Sequence, residues 1–215
     1  MPSNTIHGLY AITDSTLIRA KSFKSKLRQA LEGGAKVLQY RDKSAHHELR
    51  WQQAQQLVAL CKEYQAVSII NDDIELAKVV GADGVHIGID DETLLEARQQ
   101  LGQKKIIGVT CYSDIERAKI AVAESADYVA FGSIFPSPTK PQAKPGSLQV
   151  LEQARNVLDI PIVAIGGITL DNIDSVIAAG ADSVAVISAV FGATGSDNAI
   201  KQAASAFSKS FLNET

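Results

Sequence analysis

A short pattern recurs along the chain, in which a small residue is followed by alanine, a charged residue and an apolar run. Three close copies carry aspartate as the charged residue, at 81–85, 125–129 and 180–184, and a looser copy at 34–38 carries lysine. Each copy joins the end of a helical pattern to an apolar run, which is how a helix leads into the next parallel strand. The chain is therefore predicted to repeat one helix-to-strand unit.

The hydrophobic patterns on either side of these recurring segments predict eight strands that alternate with eight helices. The strands are expected near residues 7–13, 37–42, 68–71, 84–88, 106–110, 128–134, 161–166 and 183–188. The helices are expected near residues 21–32, 46–63, 73–80, 93–101, 113–124, 147–156, 170–179 and 197–210. Most of the strands are continuous apolar runs, as expected when both faces of a parallel sheet are covered.

This alternation favours the α/β class and, within it, a (β/α)₈ TIM barrel. The chain has 215 residues, near the lower size limit for that fold, and 46% of them are hydrophobic. Such a chain can bury one sizeable core, so a single catalytic barrel domain is predicted over residues 1–215. An open, doubly wound sheet is the alternative.

The charge and composition of the chain argue against some kinds of binding partner. The net charge is −3 and no long basic run is present, which argues against a nucleic-acid-binding surface. The first residues lack a signal-peptide pattern and no apolar run reaches the roughly 18 residues of a membrane span, so we expect a cytoplasmic protein without a membrane partner. Cys61 and Cys111 are far apart without metal-ligand spacing and are expected to be reduced. The sequence does not decide the oligomeric state.

A row of polar side chains marks the end of the second predicted strand. Gln39, Arg41 and Lys43 occupy alternate positions, so in a strand all three would leave the same face. Burying two cations there without partners would be expensive. The row is therefore expected to face an anionic ligand such as phosphate or pyrophosphate.

Two acidic clusters follow the third and fourth strands. They are Asn71-Asp72-Asp73 and Asp90-Asp91. Hard carboxylate oxygens near phosphate-binding cations favour a site for Mg²⁺ and phosphate, and a pair of helix N-caps is the alternative. The active sites of barrels lie at the carboxyl ends of the strands, where all of these residues would fall.

Two further segments at the same end of the barrel predict anion binding. Gly166-Gly167 lets the backbone approach a ligand closely, and Ser188 adds a hydroxyl group after the eighth strand, although a tight turn also requires glycine. The loop at 135–146 holds four of the six prolines together with Ser137, Thr139 and Lys140. It is predicted to be a lid or a phosphate clamp, with a rigid surface connection as the alternative.

Six motifs, in order and at the expected spacing, resemble those of thiamine-phosphate synthases. They are Gln39-Tyr40-Arg41-Asp42-Lys43, Asn71-Asp72, Gly84-Val85-His86-Ile87-Gly88-Ile89-Asp90-Asp91, Ser137-Pro138-Thr139-Lys140, Ile165-Gly166-Gly167-Ile168 and Val186-Ile187-Ser188. The resemblance spans nearly the whole chain and agrees with the interpretation of the residues themselves.

The resemblance implies condensation of a hydroxymethylpyrimidine diphosphate with a thiazole phosphate, giving thiamine phosphate and pyrophosphate with Mg²⁺ as cofactor. It implies that the diphosphate substrate is held by Gln39, Arg41, Lys43, Asn71, Thr110 and Lys140, with Arg41, Lys43 and Lys140 as the catalytic cations. It also implies that Mg²⁺ is held by Asp72 and Asp91, and the thiazole phosphate by Ser137, Thr139, Gly167, Ile187 and Ser188.

Four positions depart from the usual pattern of that family: Ile89 replaces Gln, Thr110 replaces Ser, Ser137 replaces Thr, and Pro141 replaces a common basic residue. The hydroxyl exchanges keep the hydrogen-bonding group. Ile89 and Pro141 bear on substrate affinity rather than on the class of reaction. His86 lies inside a strand and is interpreted as a satisfied core histidine rather than a catalytic base.

Two other functions remain open on the same fold. A related isomerase that tautomerises the thiazole needs an acid/base pair but neither Mg²⁺ nor a diphosphate clamp. A non-catalytic phosphate-binding barrel would keep the Gly166 to Ser188 site and tolerate the loss of Arg41 and Lys43. The presence of Asp72, Asp91 and the cations favours the transferase.

Overall fold

The computed structural model describes residues 6–88, 93–136 and 147–212. Eight parallel strands form a closed barrel in which each strand pairs with the next and the last pairs with the first. The strands are β1 Gly8–Ile12, β2 Val37–Tyr40, β3 Val67–Asn71, β4 Gly84–Ile87, β5 Ile106–Tyr112, β6 Tyr128–Phe131, β7 Ile162–Ile165 and β8 Ser183–Val186. The predicted barrel is confirmed, and the open-sheet alternative is wrong.

Helices surround the barrel in the alternating order that the sequence predicts. In the described ranges they are α1 Phe23–Glu32, α2 His47–Tyr64, α3 Ile74–Val80, α4 Leu94–Leu101, α5 Ile115–Ala123, α6 Leu148–Arg155, α7 Ile173–Ala178, α8 Ser188–Phe191 and α9 Ala199–Ser210. A 3₁₀ turn, Ala20–Ser22, precedes α1. The short helix α8 was not predicted, and it begins at Ser188, the last residue of the predicted eighth strand, with Ile187 as its N-cap.

The aspartates of the recurring pattern have one common role. Each lies just before a strand, and its carboxylate accepts a hydrogen bond from a backbone N–H near the start of the preceding strand. The pairs are Asp83 with Ser68 (2.9 Å), Asp127 with Ile107 (2.7 Å) and Asp182 with Ile162 (2.7 Å). The pattern therefore ties neighbouring strands together at the amino-terminal end of the barrel.

Two arginines from the outer helices form ion pairs with these aspartates. Arg98 on α4 donates to the Asp127 carboxylate at 2.7 Å, and Arg155 on α6 pairs with Asp182. Arg98 also donates to backbone carbonyls, including that of Ser125 at 2.7 Å. Because a cation is seldom buried without partners, these contacts explain how the largely buried Arg98 is tolerated beneath the strands.

The apolar core has two parts. The larger one lies between the strands and the helices, and the smaller one fills the inside of the barrel, where Tyr10, Ile69, Tyr128 and Val163 pack together. The two tyrosine rings meet edge to face, with centroids 6.2 Å apart. The barrel interior is thus a packed core, as is usual for this fold, but it contains hydroxyl groups.

Neither cysteine lies at the surface of the protein. Cys61 and Cys111 are free and buried, and burial raises the pKa of each thiol to about 12. Within the described ranges, no helix is long and apolar enough to cross a bilayer.

Candidate active site

Strand β2 is shorter than predicted, and this changes how the polar row Gln39, Arg41 and Lys43 is arranged. The strand ends at Tyr40, so only Gln39 points into the barrel as a strand residue. Arg41 and Lys43 lie just beyond the end of β2, and side-chain contacts position them. The prediction that one strand face carries all three residues is therefore wrong, although all three still lie at the carboxyl end of the barrel.

Arg41 is held against the end of β1. Its backbone N–H donates to the Thr13 hydroxyl at 2.8 Å, and its guanidinium lies 3.9 Å from the carboxylate of Asp14. Burial of Asp14 opposes its charged form, but hydrogen bonds from Thr16 and the charge of Arg41 hold the pKa of Asp14 below its ordinary value. Sequence reasoning missed Asp14, because an aspartate after a strand is also an ordinary turn residue.

The acidic cluster after β3 divides into two roles. Asp73 is the N-cap of α3, accepts from the Leu76 N–H at 2.8 Å and pairs with Arg50 at 2.7 Å. Asp72 has φ of 63°, in the left-handed region that aspartate tolerates better than most residues, and its carboxylate lies 3.8 Å from the Lys43 ammonium. The N-cap interpretation therefore holds for Asp73, whereas Asp72 faces the predicted cations.

An open cavity of about 390 Å³ lies over the ends of β2 and β3. Its lining includes Lys43, Arg50, Asn71, Asp72 and Asp73. Arg50 was missed, because on the sequence it is one of many charged residues in a long helix. Asp42 and Glu75 also line the cavity, so two cations and an amide lie among four carboxylates. A surface of mixed charge around an open volume suits a phosphorylated ligand that is chelated to a divalent cation.

The side chains at this cavity fit part of a magnesium site. The Asp72 carboxylate supplies one hard oxygen, and Mg²⁺ in proteins is commonly bound by one or two carboxylates together with substrate phosphates. Asp91, the predicted second ligand, lies outside the described residues. Among the residues that the structure does describe, no group of three or more His, Cys, Asp or Glu side chains could hold a metal ion.

A chain of hydrogen bonds crosses the floor of the site inside the barrel. Gln39 Nε2 donates to the Tyr10 hydroxyl at 2.8 Å, and the Tyr10 and Tyr128 hydroxyls lie 2.9 Å apart. Tyr128 contacts His86 Nδ1 at 2.9 Å, and His86 Nε2 lies 2.8 Å from the Thr110 hydroxyl. Both nitrogens of His86 have hydrogen-bond partners, as expected for a satisfied histidine, and the residue is half-buried at the floor of the site.

The two tyrosines in this hydrogen-bond chain, Tyr10 and Tyr128, keep their hydroxyl protons. Burial raises the pKa of Tyr10 and of Tyr128 well above the ordinary value, because the phenolate form would lose its hydration inside the barrel. Sequence reasoning missed both residues. The available signal was a tyrosine at the inward position of an otherwise apolar strand, where its hydroxyl group needs a partner.

The glycines after β7 are required by the shape of the backbone. Gly166 and Gly167 have φ of 102° and 65°. A Cβ atom would lie 2.2 Å from the Ser133 hydroxyl at the first glycine and 2.4 Å from the Pro136 carbonyl at the second. The tight-turn interpretation is thus sufficient for both glycines, and their role toward a ligand stays a prediction.

Some of the remaining predicted site residues lie within the described ranges, and others lie outside them. Ile187 is the N-cap of α8 and Ser188 is its first residue, next to the Gly166–Gly167 turn because β7 and β8 are neighbours. The chain leading into the predicted clamp passes the same turn, since the Phe135 N–H donates to the Gly166 carbonyl at 3.0 Å. The predicted residues outside the described ranges are Ile89, Asp90, Asp91, Ser137, Thr139, Lys140 and Pro141.

The structure therefore brings the described candidates to one end of one barrel in three groups. The first, Arg41, Lys43, Asn71 and Asp72, lies at the ends of β2 and β3. The second, Gln39 and Thr110, lies deeper, on the floor, and the third, Gly167, Ile187 and Ser188, lies at the ends of β7 and β8.

Comparison with known proteins points in the same direction. The family model described as thiamine monophosphate synthase matches residues 9–190. A thiamine-phosphate synthase of Nitrosococcus oceani is 48% identical, covering 97% of this chain and 94% of that protein, and one of Alcanivorax borkumensis is 50% identical, covering 98% and 97%. The resemblance drawn from the motifs is confirmed.

Solved structures agree with the sequence relatives. The thiamine phosphate pyrophosphorylase of Pyrococcus furiosus superimposes with a TM-score of 0.86 at 35% identity, covering 98% of this chain and 97% of that one. A thiamine phosphate pyrophosphorylase of Bacteroides thetaiotaomicron, at 15% identity and a TM-score of 0.73, shares the fold. This chain belongs to the thiamine monophosphate synthase family.

Proposed function

We propose that this protein joins a hydroxymethylpyrimidine diphosphate to a thiazole phosphate, releasing pyrophosphate and forming thiamine phosphate. The relatives at 48% and 50% identity are named for thiamine-phosphate synthesis, and they identify the chain as an enzyme of the transferase class. The observation that carries the proposal is the pairing of Lys43 with Asp72 at 3.8 Å on an open cavity at the barrel mouth. A metal-chelated diphosphate needs these charges in such an arrangement.

The difficult step in this reaction is cleavage of the bond between the pyrimidine methylene and the diphosphate. Negative charge accumulates on the departing oxygens, and Arg41 and Lys43 are proposed to stabilise it. Lys140, in the segment outside the described residues, is proposed as a third cation. The ring nitrogen of the thiazole then captures the carbon, so the protein contributes mainly by positioning the two substrates and neutralising charge.

The electron-rich aminopyrimidine can delocalise the positive charge left on the methylene carbon, so the cleavage is proposed to be dissociative. No side chain has to act as a nucleophile. Cys111, the thiol next to the site, is buried with its pKa raised to about 12, so it is almost entirely protonated at neutral pH. Its environment supports a reaction without a covalent enzyme intermediate.

Mg²⁺ is proposed as the cofactor, held by Asp72 and Asp91 together with substrate phosphate oxygens. When bound there, it would add positive charge where the leaving group develops its negative charge. In the described part of the site, Asp72 would supply a ligand oxygen, and its carboxylate lies at the cavity, 3.8 Å from the Lys43 ammonium.

The thiazole phosphate is proposed to bind at the ends of β7 and β8. Gly167 and Ile187 would contact it through backbone groups and Ser188 through its hydroxyl, with Ser137 and Thr139 reaching it from the loop at 135–146, after β6. The Gly166–Gly167 turn lies against the chain that leads into that loop, which supports a shared phosphate site. The cytoplasmic location stays a prediction from the sequence.

Incubating the purified protein with both substrates, with and without Mg²⁺, tests the proposal directly. Thiamine phosphate and pyrophosphate are expected in equal amounts and only with Mg²⁺, and Lys43→Ala should slow product formation far more than Lys119→Ala. Lys119 is a suitable control because it pairs with Glu116 on an outer helix. Isomerised thiazole phosphate without condensation would instead support the tautomerase alternative, and binding without either product would support the non-catalytic one.

A further inference from the structure

The hydrogen-bond chain on the barrel floor has a defined direction. Gln39 Nε2 can only donate, so the Tyr10 oxygen accepts from it at 2.8 Å. Tyr10 has one proton, and in the described part of the chain its other hydroxyl contact is Tyr128, at 2.9 Å. Tyr10 therefore donates to Tyr128, because the opposite arrangement would leave a buried hydroxyl proton without an acceptor.

The same accounting gives the tautomer of a neutral His86. Tyr128 accepts from Tyr10, so its own proton goes to His86 Nδ1 at 2.9 Å, which must be unprotonated. The proton of a neutral His86 then lies on Nε2 and is donated to Thr110 Oγ1 at 2.8 Å. The direction thus runs from Gln39 through Tyr10, Tyr128 and His86 to Thr110.

The two residues at the ends of this hydrogen-bond chain offer a ligand opposite hydrogen-bonding groups. Among the described residues, the side-chain oxygen of Gln39 accepts no hydrogen bond, so it remains available to a ligand that donates. Thr110 accepts from His86, so its own proton remains available to a ligand that accepts. While His86 is neutral, reversing any one link requires every other link to reverse, so that Gln39 would present a donor and Thr110 an acceptor.

We propose that Tyr10, Tyr128 and His86 are positioning residues that hold Gln39 as an acceptor and Thr110 as a donor, and thereby select an amino group over an oxo group on the pyrimidine. This inference rests on the proposed function for the identity of the ring. Gln39 and Thr110 lie in strands, deeper than Arg41 and Lys43, which follow the end of β2. The uncharged ring therefore occupies the floor, while the diphosphate lies at the rim with the cations.

The selection follows from the chemistry of the ring substituent. An amino group donates to the Gln39 oxygen, and the adjacent ring nitrogen accepts from a hydroxyl such as that of Thr110. An oxo group would place one acceptor against another, and a buried pair of facing acceptors is strongly unfavourable. Without the relay, the Gln39 amide could turn over and accommodate either ring.

The first experiment compares the two substrates in Tyr128→Phe and Tyr10→Phe. The ratio of kcat/KM for the amino pyrimidine diphosphate to that for its oxo analogue should fall about tenfold in either variant, a factor typical of one lost buried hydrogen bond. Tyr64→Phe is the matched control, because the Tyr64 hydroxyl is on the surface, 3.5 Å from Glu32, and far from the site. An unchanged ratio in both folded relay variants would overturn the proposal.

The second experiment needs neither turnover nor substitution. Nitrogen-15 NMR of the unliganded protein reports which nitrogen of His86 carries the proton. Protonation at Nε2, with Nδ1 as acceptor, is expected, and the Nδ1–H form would overturn the proposed direction. If the protein failed to make thiamine phosphate, this result would still report on the relay, so failure of the proposed function and failure of this inference are distinguishable.

Discussion

The ring of Tyr128 occupies the space in which a side chain at Gly108 would have to lie. A Cβ atom at Gly108 would be 1.9 Å from Cζ of the tyrosine ring. Gly108→Ala should therefore lower the free energy of unfolding by about 1–3 kcal/mol or more, because the ring has to move within a packed barrel. Urea unfolding measures this loss.

A double-mutant cycle separates that clash from a general effect of alanine in a strand. In a Tyr128→Ala background the ring is gone, so the added methyl group should cost much less than in the parent. Equal losses in both backgrounds would contradict the steric explanation.

The neighbouring aspartates at the end of β3 should respond to substitution in opposite ways. Asp72→Asn keeps a residue that tolerates positive φ, so stability should change by less than about 0.5 kcal/mol. Turnover should fall about a hundredfold, since the variant loses the charged oxygen proposed to bind Mg²⁺.

Asp73→Ala should show the reverse pattern. It removes the α3 N-cap and the partner of Arg50, so a loss of about 2 kcal/mol in stability is expected. The effect on turnover at saturating substrate should be smaller than that of Asp72→Asn. Parallel urea unfolding and rate measurements check both variants, and an unstable but fully active Asp72→Asn would refute the assignment.

The cysteines should be unreactive while the protein is folded. With a pKa of about 12 for both Cys61 and Cys111, the thiolate fraction at pH 8 is negligible, and burial also blocks reagents. Titration with a thiol reagent should detect no fast-reacting group in buffer and both thiols in denaturant. Rapid modification of either cysteine in the active, folded protein would argue against this account.

Asp14 should contribute to the pH dependence of stability. Its pKa is lower in the folded protein, so its contribution is present above the ordinary value of about 4 and is lost as the pH falls below it. Asp14→Asn should therefore be less stable than the parent at pH 7, and the difference should shrink on acidification. Urea unfolding at several pH values measures this, and a difference that grows toward low pH would have the wrong sign.

The alternation of helices and strands was predictable because buried parallel strands and amphipathic helices leave different periodic patterns. The end of β2 was not predictable in this way. Nothing in Arg41 itself stops a strand, but pairing with β1 ends at Gln39 and pairing with β3 ends at Tyr40. The four-residue helix α8 was missed because it is too short to show a period.

Only some of the residues that meet at the site could be predicted from the sequence. Arg41, Lys43 and Asp72 could be placed together, since the carboxyl ends of parallel strands meet at one end of a barrel. Asp14, Arg50, Tyr10 and Tyr128 could not be found, because each has an ordinary local explanation as a turn, helix or core residue. Their roles depend on contacts across the barrel.

The sequence by itself determined the order of the eight strands and their connecting helices, the family, and the gathering of Arg41, Lys43 and Asp72 at the barrel mouth, because these follow from local periodicity and from motifs along the chain. Tertiary structure alone decided that Asp73 caps a helix while Asp72 faces Lys43, and that Gln39 is linked to Thr110 through two buried tyrosines and a histidine. Hydrogen bonds and ion pairs join residues far apart in sequence, and their partners are defined only when the strands close.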